Sequence, residues 1–244
     1  MQKRNQCVLG VVGGMGPVPT AWLLDMMIQM TDAACDQEHL DMILYNYPSI
    51  PDRTRYILDN TQESPLPVIA RIGKALAAQG AGYLAIPCVT SHYFYDELQA
   101  QIPIPIIHAI RETVTHLKEN GITHAGIMAT DGTIRSRIFH RELEAQGIVP
   151  LEPSAERQAD VMHVIYENVK AGKPLDLARF RAVDDELRRQ GAQAVILGCT
   201  ELSAARIGYP IGPGFLDVLQ VLAQRSVVLC GAPLKPEYTC LITK

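Results

Sequence analysis

The sequence predicts an α/β fold made of two pseudo-symmetric lobes, each a mainly parallel sheet flanked by helices, with the active site in the cleft between them. Three observations predict it. Short apolar runs alternate with longer stretches of helical periodicity along almost the whole chain, as in a parallel sheet covered by helices. The 244 residues are too many for one small domain and few for two independent ones at ~150 residues per domain. The sequence also repeats itself. Gln79-Gly80-Ala81 leads into a run that reaches Cys88, and Gln190-Gly191-Ala192 leads into one that reaches Cys199, each cysteine nine positions after its glutamine.

In chain order, the strand-like runs are Cys7 to Val12, Met42 to Tyr47, Tyr83 to Pro87, Ile104 to His108, Ala125 to Ala129, Ile148 to Leu151 and Ala194 to Leu197. Between them lie helices with legible ends. One has Ser64 as N-cap and Pro65 at the first helical position, and stops at Gly80; another runs from Leu175 to Gln190 and stops at Gly191. A fainter echo supports the repeat: Gly10 and Gly16 bracket VVGGM as Gly126 and Gly132 bracket IMATD. No Ser/Gly-rich or highly charged linker divides the chain, so the boundary falls in a short connection near residues 109 to 112. Residues 1–110 with 209–244 then form the first lobe and 111–208 the second, the C-terminal segment packing back on the first.

With 48% hydrophobic residues the chain has ample material for a core, which excludes intrinsic disorder. A net charge of −4 argues against a nucleic-acid partner held through its phosphates. No run approaches the ~18 apolar residues that span a bilayer, so no membrane association is expected. Lys3 and Arg4 before CVLGVVGGM imitate a short signal peptide, but the run breaks at GGMGP, which reads as a buried first strand in a cytoplasmic protein. The six cysteines, Cys7, Cys35, Cys88, Cys199, Cys230 and Cys240, show neither disulfide nor zinc spacing, and no metal is expected. Cys7, Cys35, Cys230 and Cys240 read as buried or incidental thiols, and the stretch from His140 to Ala145 as a solvated helix face.

Ligands of parallel sheets bind at the carboxyl ends of the strands. The polar residues there are Gly13-Gly14-Met15-Gly16, Ser49, Asp52-Arg53, Cys88-Val89-Thr90-Ser91, Thr130-Asp131-Gly132-Thr133 and Cys199-Thr200-Glu201. GGMG lacks both GxGxxG spacing and the Walker lysine, so its backbone N–H groups suit a carboxylate better than a nucleotide. A lone cysteine after a strand is ordinarily a small hydrophobe. Two at equivalent places in a duplicated unit instead face each other across one cleft. That arrangement suits inversion of a stereocentre, one thiolate removing a proton from one face while one thiol delivers a proton to the other. A free thiol is mostly protonated at neutral pH, so the helical stretches SHYFYDELQA and ELSAAR that follow the cysteines are expected to lower one of them. The Gly14 and Met15 amides, Thr90, Thr130 and Thr200 are placed to hold the substrate carboxylate. His92 either tunes Cys88 or is a structural histidine on a helix face.

At these residues the chain resembles the cofactor-independent aspartate/glutamate racemases, in the aspartate-racemase branch: VVGGMGP, YPSIPDRT, IPCVTSHYFYDEL, MATDGT, IYENVKAGK and ILGCTEL occur in that family's order over nearly the full length. The resemblance implies two pseudo-symmetric lobes, a homodimer, an amino-acid substrate, no cofactor and two catalytic cysteines matching Cys88 and Cys199. It also implies that Arg53 and Lys170 grip substrate carboxylates; Glu201, after the last strand, is a further substrate-binding candidate from its position alone. Two positions depart from the pattern. Val89 stands where the family's PCNTAH motif has asparagine, and Ser49 where a glutamine precedes IPDR. Each removes a polar side chain from the expected substrate wall, which opens the site to other side chains than those of aspartate and glutamate. Sister enzymes of hydantoin racemase or maleate isomerase type, and a non-catalytic amino-acid binder, are the alternatives. The retained pair of cysteines argues against arylmalonate decarboxylases, and Arg53 with Lys170 argues against hydantoins.

Overall fold

Aliphatic runs too short for helices, each entered from a turn, pair into two all-parallel sheets; the computed structural model describes residues 7–244. Lys3 and Arg4, and with them the signal-peptide reading, lie outside the described residues. The first lobe runs β1 (Val8–Gly13), α1 (Pro17–Met30), β2 (Met42–Asn46), α2 (Arg53–Leu58), α3 (Leu66–Ala78), β3 (Ala81–Ala85), a 3₁₀ turn (Val89–Phe94) and α4 (Tyr95–Gln101). The second runs α5 (Ala109–Glu119), β4 (His124–Met128), α6 (Asp131–Ser136), α7 (Ile138–Ala145), β5 (Val149–Leu151), and α8 (Ala155–His163) passing into a π-helical turn (Val164–Val169). It continues through α9 (Leu177–Arg189), β6 (Ala194–Leu197), a 3₁₀ turn (Thr200–Leu202), α10 (Ser203–Gly208), β7 (Phe215–Asp217) and α11 (Val218–Leu229). The strand orders are β2-β1-β3 and β5-β4-β6-β7.

The internal repeat has a packing cause. A Cβ on Gly10 of β1 would lie 3.2 Å from Leu76 Cβ of α3, and one on Gly126 of β4 would lie 3.2 Å from Leu187 Cβ of α9. In both lobes a helix therefore lies close over the central strand, and only a bare backbone lets it. Polar caps start several of the helices: Asp52, Thr130, Ser154 and Asp176 each accept an N–H from the first turn.

Four expectations change. The run from Ile104 to His108 is not a strand, because Pro103 and Pro105 carry no N–H for a ladder; it makes a single bridge, with Ile107 N–H donating to Leu84 O at 2.8 Å and Leu84 N–H to Pro105 O at 2.9 Å. The segment after residue 209 is divided between lobes. Its strand β7, too short to read in GPGFLDVLQ, pairs in parallel with β6 in the second sheet, while α11 packs on α1 of the first lobe. The stretch from His140 to Ala145 is solvated only in part: Arg141, Glu144 and Ala145 are exposed, while His140 and Leu143 are buried beside Phe139. Cys35 is exposed rather than buried.

One hydrophobic core joins the lobes. Leu9 and Val11 of β1, Ile127 of β4, Ile196 of β6 and Leu219, Leu222 and Val227 of α11 belong to it. Separate apolar layers cover the outer face of each sheet.

Candidate active site

Cys88 follows β3 and Cys199 follows β6, so each lobe delivers one cysteine to the same level, at the carboxyl ends of the strands. Both are buried, at 6% exposure. Both line one small chamber of about 10 Å³, together with Met15, Arg53, Val89, Thr90, Thr130, Tyr166, Lys170, Thr200 and Glu201. A chamber of that size holds about one water molecule. Outside it lies a vestibule of about 440 Å³ lined by Gly14, Met15, Pro48, Ile50, Arg53, Lys170 and Glu201 among others. Met15, Asp52, Arg53, Lys170 and Glu201 border both spaces, so they form the partition between them.

The two sulfurs have opposite neighbours. Arg53 opens α2 and is buried; its Nη1 donates to Pro51 O at 3.1 Å and its Nη2 to Met15 O at 3.4 Å, which aims the guanidinium at the chamber. Burial opposes the charge of Arg53, but the Cys88 sulfur against it, with Asp52 and Glu201, raises its pKa. Cys199 instead faces an acid: its S–H donates to Glu201 Oε2 at 2.9 Å. Burial first, and then the Glu201 carboxylate, pushes the Cys199 thiol well above its ordinary value. At Cys199 the following helical stretch therefore does not lower the thiol. The chain after each cysteine forms a 3₁₀ turn, and α4 and α10 begin only beyond it.

Glu201 also accepts from Thr200 Oγ1 at 3.3 Å and pairs with the Lys170 ammonium. Burial works against that ammonium, and Glu201 followed by Cys199 outweighs it and holds it above its ordinary range. Lys170 directly follows a π-helical turn, and its N–H donates to Ile165 O at 2.9 Å. Tyr166, four residues earlier on the same helix face, lines the chamber with it, the ammonium 5.7 Å from the ring centroid.

Hydroxyls close the remaining wall. Thr130 Oγ1 lies 3.3 Å from Thr54 Oγ1, 3.2 Å from Thr90 Oγ1 and 3.1 Å from Thr133 Oγ1, a buried cluster drawn from both lobes. Among the predicted residues, Val89, Thr90, Thr130, Thr200, Glu201, Lys170, Arg53 and Met15 are brought together. Gly14 borders the vestibule, and its N–H donates to Thr20 Oγ1 at 3.0 Å. Ser49 is not brought in. The loop turns Ile50 inward at 4% exposure and leaves Ser49 exposed against Tyr47. Sequence reasoning missed Tyr166 and Thr54, although both sit inside quoted motifs, Tyr166 four residues before Lys170 and Thr54 directly after Arg53. Among the described residues no group of three or more His, Cys, Asp or Glu could hold a metal ion.

The sequence model described as Asp/Glu/hydantoin racemase matches residues 12–225. The chain belongs to that family. This racemase is 30% identical to the aspartate racemase of Picrophilus torridus, with a TM-score of 0.85 over 96% of this chain and 99% of that one. It is 24% identical to a broad specificity amino-acid racemase of Bacillus subtilis, over 81% of this chain and 86% of that protein. The glutamate racemase of Francisella tularensis, solved with D-glutamate, shares the fold at a TM-score of 0.65 and 16% identity, over 92% of this chain and 81% of that one. The protein is an isomerase of the racemase type with a small amino acid as substrate. No helix among the described residues of this racemase is long and apolar enough to cross a membrane.

Proposed function

We propose that this racemase interconverts the enantiomers of aspartate and/or glutamate without a cofactor, by two-base exchange between Cys88 and Cys199. The observation that carries the reading is the pair of buried cysteines, one from each lobe, on one chamber with a guanidinium beside the first and a carboxylate beside the second. A guanidinium favours a neighbouring anion, and a carboxylate accepting S–H favours the protonated thiol. The proposed cycle begins with Cys88, beside the guanidinium, as the base and Cys199, whose S–H donates to Glu201, as the acid. Cys88 takes the Cα proton and its S–H bond forms as the C–H bond breaks, leaving the electron pair on Cα. Cys199 then gives its proton to the opposite face and becomes the thiolate. The reverse reaction begins from the exchanged protonation state. Arg53 and Lys170 supply the positive charge that stabilises the substrate carboxylates and the carbanion, inside a space shielded from water.

Val89 and the displaced Ser49 leave the wall less polar than the family pattern, which supports activity on neutral amino acids beside the acidic ones. The homodimer that the resemblance implies and the cytoplasmic location read from the N-terminal run belong to the same proposal; sedimentation of the purified protein checks the first. The decisive experiment follows L- and D-aspartate, L-glutamate and a panel of neutral amino acids by circular dichroism in deuterium oxide. Racemisation with deuterium uptake at Cα is expected, lost in Cys88→Ala and Cys199→Ala alike. Activity surviving either substitution removes the two-base mechanism, and binding without exchange makes the protein a binder.

A further inference from the structure

Resting on that reading of Cys88, we infer that His92 is the positioning residue that sets the direction of the Cys88 sulfur by gripping the Cys88 carbonyl. His92 lies in the 3₁₀ turn directly after the cysteine and is buried. Its Nε2 lies 3.1 Å from Ala109 N and accepts that N–H. A neutral imidazole with an accepting Nε2 carries its proton on Nδ1, which stands 3.3 Å from Cys88 O. Burial holds the ring below its ordinary pKa, in keeping with the neutral form. The groups that face it besides Cys88 and Ala109 are the Ile107 carbonyl, 3.4 Å from Nε2, the Val89 backbone and the His108 ring at 5.4 Å, and burial keeps His108 uncharged too, with a pKa down to about 3.

The Cys88 carbonyl thus accepts twice, from Ser91 N–H at 3.0 Å and from His92 Nδ1–H. Two donors on one carbonyl fix the peptide plane after Cys88, hence its ψ of 102° and the direction of its Cβ. The second lobe has no counterpart. The residue four places after Cys199 is Ser203, and its hydroxyl donates to Asp217 Oδ1 at 2.9 Å instead. His92 therefore acts on one of the two bases only, through a chain that runs from the start of α5 to the Cys88 peptide.

Two substitutions separate its nitrogens. His92→Asn keeps a donor at the Nδ1 place and loses the link to Ala109; His92→Gln keeps an acceptor at the Nε2 place and loses the donor to Cys88. Because a misplacement of about 1 Å costs on the order of 100-fold, kcat should fall about 10- to 100-fold in His92→Gln with KM within about threefold of wild type, while His92→Asn stays within about threefold in both. The primary isotope effect with Cα-deuterated substrate should rise in His92→Gln for the enantiomer whose proton goes to Cys88. Peptide-mapped iodoacetamide alkylation of Cys88, which needs no turnover, should slow in His92→Gln and not in His92→Asn. A reversed order, with Gln near wild type and Asn impaired, makes His92 a strut for α5 and overturns the inference, as do equal effects of both. If Cys88→Ala still racemises, the two-base reading falls, while the alkylation order still decides the role of His92.

Discussion

Asp217 offers a test in which the charge of one buried carboxylate is read directly as stability. It is fully buried at the junction of β7 and α11, where its Oδ1 accepts Leu219 N–H at 2.9 Å and Ser203 O–H at 2.9 Å. Burial outweighs these bonds and pushes its pKa from 3.8 up to about 6. The difference is about 2 units, so at ~1.36 kcal/mol per unit the ionised form weakens the fold by about 3 kcal/mol at neutral pH. Because the folded-state pKa is the higher, the contribution is fully present below about pH 4 and is lost as pH rises through about 6. The perturbation is Asp217→Asn, which keeps the Oδ1 acceptor and cannot ionise. The wild-type curve alone mixes in His92, His108, His116 and His140, whose lowered values make stability rise with pH over the overlapping range. Both proteins share those histidines, so the difference between them isolates Asp217. Urea unfolding from about pH 4 to about pH 7.5 should show the gap, wild type minus variant, falling by about 3 kcal/mol, whatever its starting value. Parallel curves would refute the assignment of a raised pKa to this carboxyl.

Gly14 has φ +98°, and a Cβ there would sit 2.4 Å from the Tyr47 carbonyl carbon, so Gly14→Ala should cost about 3 kcal/mol or more, seen as a lowered melting temperature. Glu201→Gln removes the charge that raises the Cys199 thiol, so in a Cys88→Ala background the ultraviolet titration of the thiolate should shift to lower pH; an unmoved titration contradicts the pairing.

The two cysteines were legible because a duplicated unit puts the same residue at the same strand end, and the duplication itself was legible because Gly10 and Gly126 answer the same steric demand. The strand misread at Ile104 shows the limit of apolar pattern. Hydrophobicity reports burial, and the prolines that deny the segment its N–H groups decide whether burial becomes a ladder. Phe215–Asp217 was hidden for the opposite reason, a strand so short that its residues merge with the apolar face of α11. Ser49 and Tyr166 show what spacing alone does not carry. Which way a loop side chain turns depends on its neighbours, as Ile50 takes the inward place, and i, i+4 spacing puts Tyr166 on the helix face of Lys170 without saying that this face lines the chamber.

The tail after α11 laces the molecule together. Asp32 N–H donates to Pro233 O at 2.8 Å and Lys235 N–H to Met30 O at 2.9 Å in the first lobe, while Thr243 N–H donates to Phe215 O at 2.9 Å in the second. A wide swing of one lobe against the other would have to undo this lacing and split the shared core. The two lobes are thus tied by the two ends of that tail, and what stands between the vestibule and the cysteines is a thin wall of side chains, Arg53, Lys170 and Glu201 among them.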